Sequence, residues 1–400
     1  MGRGFRDKNF QVWGSVLAIS LCSFALVASE FMPVSLLTPV AEDLSLTAGQ
    51  AGQAISISGI LAVLTSLFIS PATQKFDRKH VLLALSVLMI ASGIMVSVAP
   101  NYSVFMVGRA LLGISIGGCW SMSTSVVMRI APESFVPRAI AVIQGGSALA
   151  TAVAAPLGSL LGSYIGWRWA FFCVVPLAAI ALCWQAVALP SMPGESKRTS
   201  PVAVFRLLGN WHLTLGMGGV AFLFMGQFSL FTYLRPFLES VTKANISQIS
   251  LLLLALGISG LIGTVLVGSI IKRNLGAVLI AIPLLMSLIV EGLVLYGEGF
   301  AATALLLGAW GLVATSAPVG WFTWLSKTLP ADAEAGGGLM VAVIQLAITI
   351  GATVGGALYD LHGYQATFTA SALMLILAAV LAAVVSRFTL AANQLELIRR

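Results

Sequence analysis

The sequence predicts an all-α integral membrane protein with twelve transmembrane helices arranged as two pseudo-symmetric bundles of six. Composition is the first reason. Of 400 residues, 58% are hydrophobic and only 9% are charged, with a mean hydropathy of +1.00. A soluble domain carries about 25% charged residues, so this chain has too few charges to cover a water-facing surface. The second reason is that apolar runs of about 20 residues, the length that crosses a bilayer, recur twelve times. The third is that the longest polar connection falls near the midpoint, with six runs on either side.

The runs cover roughly 12–38, 51–73, 81–99, 102–128, 138–165, 169–189, 211–237, 248–271, 275–297, 300–326, 337–358 and 364–386. They are read as helices because an unpaired backbone cannot cross hydrocarbon, and they are too long and apolar for barrel strands. The first run, from about Val12, is too long for a secretory signal core and lacks an obvious cleavage site, so it is expected to stay in the membrane. An even count puts both termini on one side. That side carries Arg3, Arg6, Lys8, Lys75, Arg78, Lys79, Arg129, Arg138, Lys197, Arg198, Arg206, Lys272, Arg273, Lys327, Arg387, Arg399 and Arg400. The other has only Arg168, Arg235 and Lys243, so the positive-inside rule makes the termini cytoplasmic. This bias also accounts for the net charge of +7 without a nucleic-acid partner.

The expected domains are 1–189, a cytoplasmic linker 190–210 and 211–400. In the linker, Ser200-Pro201 has the character of an N-cap and first helical position, followed by a short amphipathic surface helix. The halves carry a trace of duplication. "AVIQ" occurs at Ala141–Gln144 in the fifth run and at Ala342–Gln345 in the eleventh, and in that register Val153 aligns with Val354 and Leu157 with Leu358. Transporters built from two six-helix repeats have this organisation.

Several chemistries are absent from the motifs. No GxxxxGK loop or strand-linked GxGxxG is present, so neither ATP nor a dinucleotide is expected. The histidines (80, 212 and 362) sit at the ends of runs and far apart, without metal-ligand spacing. The four cysteines (22, 119, 173 and 183) lie in apolar stretches without a CxxC pair and read as small packing residues. No nucleophile–base set lies within the membrane, so the chain reads as no enzyme, with no cofactor and no metal. Charges inside the runs are the remaining candidates. Arg109 lies ~12 Å into the fourth run, cannot shed its proton, and must find acceptors. Gly113 and Gly117, one turn apart, permit close approach of another helix. Glu30 interrupts the first run, with Pro33 three residues later; it reads either as a side chain reaching the outer interface or as a protonation site. Glu291 lies near the outer end of the ninth run, where its side chain can reach the interface. Gln144, Gln227 and Gln345 carry both donors and acceptors suited to hydroxyls or heterocycle edges. Among Trp120, Trp310, Trp321 and Trp324, Trp120 is mid-helix and the best stacking candidate, whereas Trp324 reads as an interfacial anchor.

These motifs resemble the major facilitator superfamily, in its twelve-helix drug:proton antiporter group. "EFMPVSLLTPVAEDL" from Glu30 is similar to the first-helix signature of that group's sugar and nucleoside exporters. "RALLGISIGG" (Arg109–Gly118) resembles the fourth-helix motif whose arginine is implicated in proton coupling. "AAPLGSLLG", with Pro156, Gly158 and Gly162, resembles the exporter motif of the fifth helix and is followed by "GWRWAFF" (Gly166–Phe172). The loop "SPATQKFDRKHVLL" (Ser70–Leu83) departs from the family's gating motif G-x-x-x-D-R-x-G-R-K. Ser70 replaces the first glycine, Gln74 the aspartate and Asp77 the second glycine, while Lys75, Arg78 and Lys79 keep the basic character. The acid–base latch is therefore expected only if Asp77 substitutes for the missing acid.

The resemblance implies a proton-coupled antiporter that exports a small molecule by alternating access from the bacterial inner membrane, expected as a monomer. Glu30 and Arg109 are its expected coupling pair. "GGCWSMS", "GQFSLFTYLRP", "PVGWFTW" and "VAVIQLA" look like those of purine ribonucleoside exporters. They imply Trp120, Gln144, Gln227, Tyr233, Trp321 and Gln345 as substrate contacts. Export of sugars or hydrophobic drugs is the alternative. A transporter-like sensor is more remote, because it would be expected to carry a sizeable soluble output domain. An ion channel is disfavoured because no charge ring or filter loop is visible.

Overall fold

The computed structural model describes residues 2–132, 135–194, 206–329 and 333–399, and all of its regular structure is helical. The spans are α1 (Val12–Asp43), α2 (Ala48–Ile69), α3 (Arg78–Ser97), α4 (Tyr102–Ser123), α5 (Arg138–Ile165) and α6 (Trp167–Ala188). They continue as α7 (Trp211–Ser240), α8 (Ile246–Arg273), α9 (Leu275–Tyr296) and α10 (Phe300–Thr328). The last apolar stretch, Gly336–Arg387, is helical except at Gly363, whose φ of 79° breaks it; its two parts are α11 (336–362) and α12 (364–387). Among the described residues this gives twelve spans, as the apolar runs predict. The Ser200-Pro201 helix start lies outside the described residues.

By its contacts the chain forms two units. One comprises Met1–Leu46 and Ala54–Pro201; the other comprises Thr47–Gln53 and Val202–Arg400. The first turns of α2 thus count with the second unit. There the Asp360 carboxylate accepts the Gly49 N–H at 2.9 Å and the Thr47 hydroxyl at 2.5 Å, placing negative charge at a helix N-terminus.

Within each unit, small residues let helices approach closely, since lipid supplies no hydrophobic drive for helices to associate. In the first, Gly113 and Gly117 put the α4 backbone on α2. A Cβ at Gly113 would lie 2.3 Å from the Ser58 carbonyl oxygen, and one at Gly117 would lie 2.2 Å from that of Ala62. The exporter-motif glycines seat α5 on α1, Gly158 against Ser35 and Gly162 against Leu36. Hydroxyls then stitch neighbouring helices through backbone carbonyls: Ser20 to Val142 (3.0 Å), Ser92 to Gly108 (2.6 Å) and Ser115 to Leu85 (2.9 Å).

The second unit repeats this scheme. Gly351 and Gly355 seat α11 against Met225 and Ser229 of α7. Ser229 donates to the Gly351 carbonyl at 3.0 Å, as Ser20 of α1 does to Val142 of α5. The α5–α6 junction turns through Gly166 (φ 81°) and the α11–α12 junction through Gly363 (φ 79°), a left-handed conformation that favours glycine. Both halves thus join their first and fifth helices by a serine–carbonyl bond and turn through a positive-φ glycine, though not at positions matched by the "AVIQ" register.

Two spans of the second unit are interrupted. Helix geometry in α7 stops at Phe231 and resumes at Leu234, and in α10 it stops at Ala314 and resumes at Ala317. Each break lies just before a proline, Pro236 or Pro318, which has no N–H for the carbonyl four residues earlier. The Thr315 hydroxyl, at the break in α10, lies 2.7 Å from the Gly260 carbonyl of α8 and 2.9 Å from the Gly311 carbonyl, tying the break to α8.

The α2–α4 contact yields a paired test. Gly117→Ala is expected to lower stability by about 1–3 kcal/mol through overpacking. Gly268→Ala, where a Cβ would meet nothing within 4 Å, should leave stability unchanged or raise it. Thermal unfolding of the purified proteins in detergent measures both.

Candidate functional site

The site of the first unit is built around Arg109, which is 1% exposed. A buried guanidinium needs acceptors for its donors, and α1 and α2 supply them from their backbones. Nη1 donates to the Ser29 carbonyl at 2.8 Å, Nη2 to the Glu30 carbonyl at 3.4 Å and Nε to the Ala54 carbonyl at 3.1 Å. The reason Ser29 is available is written four residues on. Pro33 lies inside the continuous helix and has no N–H, so the Ser29 carbonyl lacks its intrahelical donor. Arg109 takes that place. Ser58 completes the knot by donating to the Arg109 and Ala54 carbonyls, both at 2.9 Å. One side chain of α4 thereby fastens α1 and α2.

Glu30 is buried in the same place, at 8% exposed, and its charge acts on the Arg109 guanidinium. The structure thus brings the two sequence-derived residues together, with Glu30 meeting Arg109 through its own carbonyl as well. Beside them, Phe24, Phe31 and Trp120 pack partly buried around Val27, Ala28, Ala150 and Ala154. Trp120 was legible in the sequence as a candidate. Phe24 and Phe31 were missed, although they stand on either side of Val27 at near-helical spacing and on the face that carries Ala28. Gln144 is exposed on α5.

In the second unit Gln227 of α7 is partly buried and Gln345 of α11 is buried. The Oε1 of Gln227 is covered and has no hydrogen-bond partner among the described residues. Two expected substrate contacts are core residues instead. Tyr233 is fully buried, stacks on Tyr359 at 5.4 Å and donates its hydroxyl to the Ala352 carbonyl at 2.8 Å. Trp321 is 1% exposed and packs over Gly219 and against Trp324. Trp324 is not an interfacial anchor either: it is buried over Gly216, whose missing side chain makes its room. Glu291 is exposed, in keeping with a side chain at the rim.

The 70–83 loop uses its acid locally. Asp77 caps α3, accepting the Lys79 N–H at 2.8 Å, and also binds the segment after α6. The Ser191 hydroxyl reaches it at 2.5 Å and the Met192 N–H at 2.9 Å. Arg78 adds its own N–H to the Met192 carbonyl at 2.9 Å, and its guanidinium holds the Thr73 hydroxyl at 2.9 Å. Lys75 is exposed and Lys79 half-buried. Partial burial pushes the Asp77 carboxyl up, but the hydrogen bonds from Ser191, Met192 and Lys79 outweigh it and hold it below its ordinary 3.8.

With this geometry in view, comparison with known proteins is direct. Residues 19–336 match the Major Facilitator Superfamily. The chain belongs to that superfamily. It is a multi-pass membrane transporter of this fold and not an enzyme. It is 55% identical over 378 residues, 94% of each chain, to "Transcription regulatory protein OpdE" of Pseudomonas aeruginosa. It is 38% identical over 377 residues, 94% of this chain and 95% of the relative, to "Purine ribonucleoside efflux pump NepI" of Salmonella enteritidis. The solved D-xylose-proton symporter superposes with a TM-score of 0.76 at 16% identity, covering 93% of this chain and 97% of that one, which speaks to the fold alone.

Two variants probe these arrangements. Arg109→Lys cannot span three carbonyls on two helices, and a Ser29 carbonyl left unsatisfied costs about 1–3 kcal/mol, so a clear drop in unfolding temperature is expected. Asp77→Ala should cost about 1 kcal/mol as a lost cap. Because the folded carboxyl is held low, that contribution is present above 3.8 and fades as pH falls through the lower folded value. The gap between variant and parent melting curves should therefore close in strong acid.

Proposed function

We propose that this chain is a proton-driven exporter of purine ribonucleosides such as inosine. It works by alternating access in the bacterial inner membrane, with both termini cytoplasmic. The observation that carries the reading is the Glu30–Arg109 site. Among the described residues Glu30 is the one buried acid, and its backbone is gripped by a cation that keeps its charge. A proton arriving on Glu30 removes the negative charge that Arg109 feels, so protonation changes how α1 holds to α4. Intramembrane acids of this kind mark proton relays.

For the substrate, Phe24, Phe31 and Trp120 offer flat apolar faces to a heterocycle. Gln144, Gln227 and Gln345 offer amides to its edges and to ribose hydroxyls, and the free Oε1 of Gln227 is an acceptor awaiting a donor. The 38% identity to a purine ribonucleoside efflux pump supports this class, over sugars or hydrophobic drugs.

A regulatory sensor is the second reading, and the 55% identity to a protein named as a transcription regulator favours it. Reconstituted vesicles separate the two. A transporter preloaded with inosine exchanges it for labelled inosine in a saturable counterflow, whereas a sensor shows none. In the same vesicles, accumulation driven by an imposed pH gradient should fall about tenfold or more in Glu30→Gln, while counterflow stays within about twofold. A Glu30→Gln protein that still accumulates inosine against its gradient rules Glu30 out as the proton site.

A further inference from the structure

Four polar side chains from four helices meet in the apolar core of the first unit, away from the Arg109 site. Cys22 of α1 lies 3.5 Å from the Ser86 hydroxyl of α3, which donates to Gln185 Oε1 of α6 at 2.9 Å. The Cys22 thiol is also within hydrogen-bonding reach of the Gln185 side chain and of Cys119 on α4. All four are buried: Cys22 at 3%, Cys119 at 7%, Ser86 at 0% and Gln185 at 1%. The register agrees. Arg109 ties α4 to α1 at Ser29 and Glu30. Since α4 runs antiparallel to α1, about ten residues onward along α4 should face about eight residues back along α1, a distance of ~12–15 Å. Those positions are Cys119 and Cys22. Cys173 and Cys183 are exposed, whereas Cys22 and Cys119 belong to one buried cluster of the first unit.

We propose that Cys22 and Cys119 are a dithiol modification site that hydrogen peroxide, a small oxidant able to enter the membrane, converts to a disulfide joining α1 to α4. The Cys22 sulfur attacks one peroxide oxygen, the O–O bond breaks, water leaves and a sulfenic acid forms. The Cys119 sulfur then displaces that oxygen as a second water and closes the S–S bond. Two thiols give up two protons and two electrons, and the peroxide becomes two waters. Cys119 adjoins Trp120, and Cys22 lies two residues from Phe24. The cross-link therefore sits behind the aromatic group described above.

The test uses the full-length protein carrying C173S and C183S, so that only the proposed pair can react. After peroxide treatment, acid quench and denaturation, free thiols are counted by maleimide–polyethylene glycol mass shift. The expected result is that both shifts disappear and dithiothreitol restores both, while the chain runs as a monomer on a non-reducing gel. Adding C22S or C119S should leave one thiol that dithiothreitol-reversible oxidation cannot close within the chain. Full labelling after peroxide, a loss that dithiothreitol does not reverse, or a disulfide-linked dimer in place of the intramolecular product overturns the proposal.

Discussion

A cation that cannot be neutralised, placed inside a membrane protein, dictates much of what surrounds it. Arg109 carries its donors in a rigid fork, and the first unit meets them with carbonyls of Ser29, Glu30 and Ala54. Helical carbonyls are normally committed within their own helix, so a guanidinium at this depth has few acceptors to choose from. Pro33 frees one by withholding an N–H. The helices must then approach closely enough for the fork to reach, and Gly113 and Gly117 allow α4 to lie against α2. Charge, proline and glycine form one requirement distributed over three helices.

The same economy recurs across the molecule. Serine and threonine hydroxyls donate to carbonyls of neighbouring helices in both units, and glycines set the distances. In lipid, where burial of apolar surface does not favour one helix pairing over another, such contacts and tight packing select partners. The equivalence of the α1–α5 and α7–α11 seams, and of the positive-φ glycines at 166 and 363, shows one scheme used twice.

Much of this was legible in the sequence, and the losses have a common cause. Span positions follow from apolar length, Gly113 and Gly117 announced close packing through their spacing, and Gly158 and Gly162 stood out only through the exporter motif they resemble. Arg109 and Glu30 stood out because charge in an apolar run is rare. Aromatic residues gave no such signal. Tyr233, Trp321 and Trp324 have the chemistry of ligand contacts, but rotation of a helix about its axis decides whether they face a neighbour, and an all-round apolar span hides that rotation. Tyr233 betrays itself only through Gly356 and Gly52, which leave room for its ring and hydroxyl. The Cys22–Ser86–Gln185 contact was missed for a similar reason: three unremarkable residues, separated in sequence by 64 and then 99 positions, have no pattern until the helices carrying them are placed.

Pro33 carries a consequence for how such a site changes over time. Backbone acceptors are blind to the side chains beside them, so Ser29 and Ala54 are free to vary without disturbing the Arg109 fork. Pro33 is not. Restoring an N–H at that position returns the Ser29 carbonyl to its own helix and makes it compete with the arginine, while losing the arginine leaves the proline's broken rung empty. The two positions are thus expected to be inherited as a couple, a covariation between a residue with no functional group and one that is nothing but functional group.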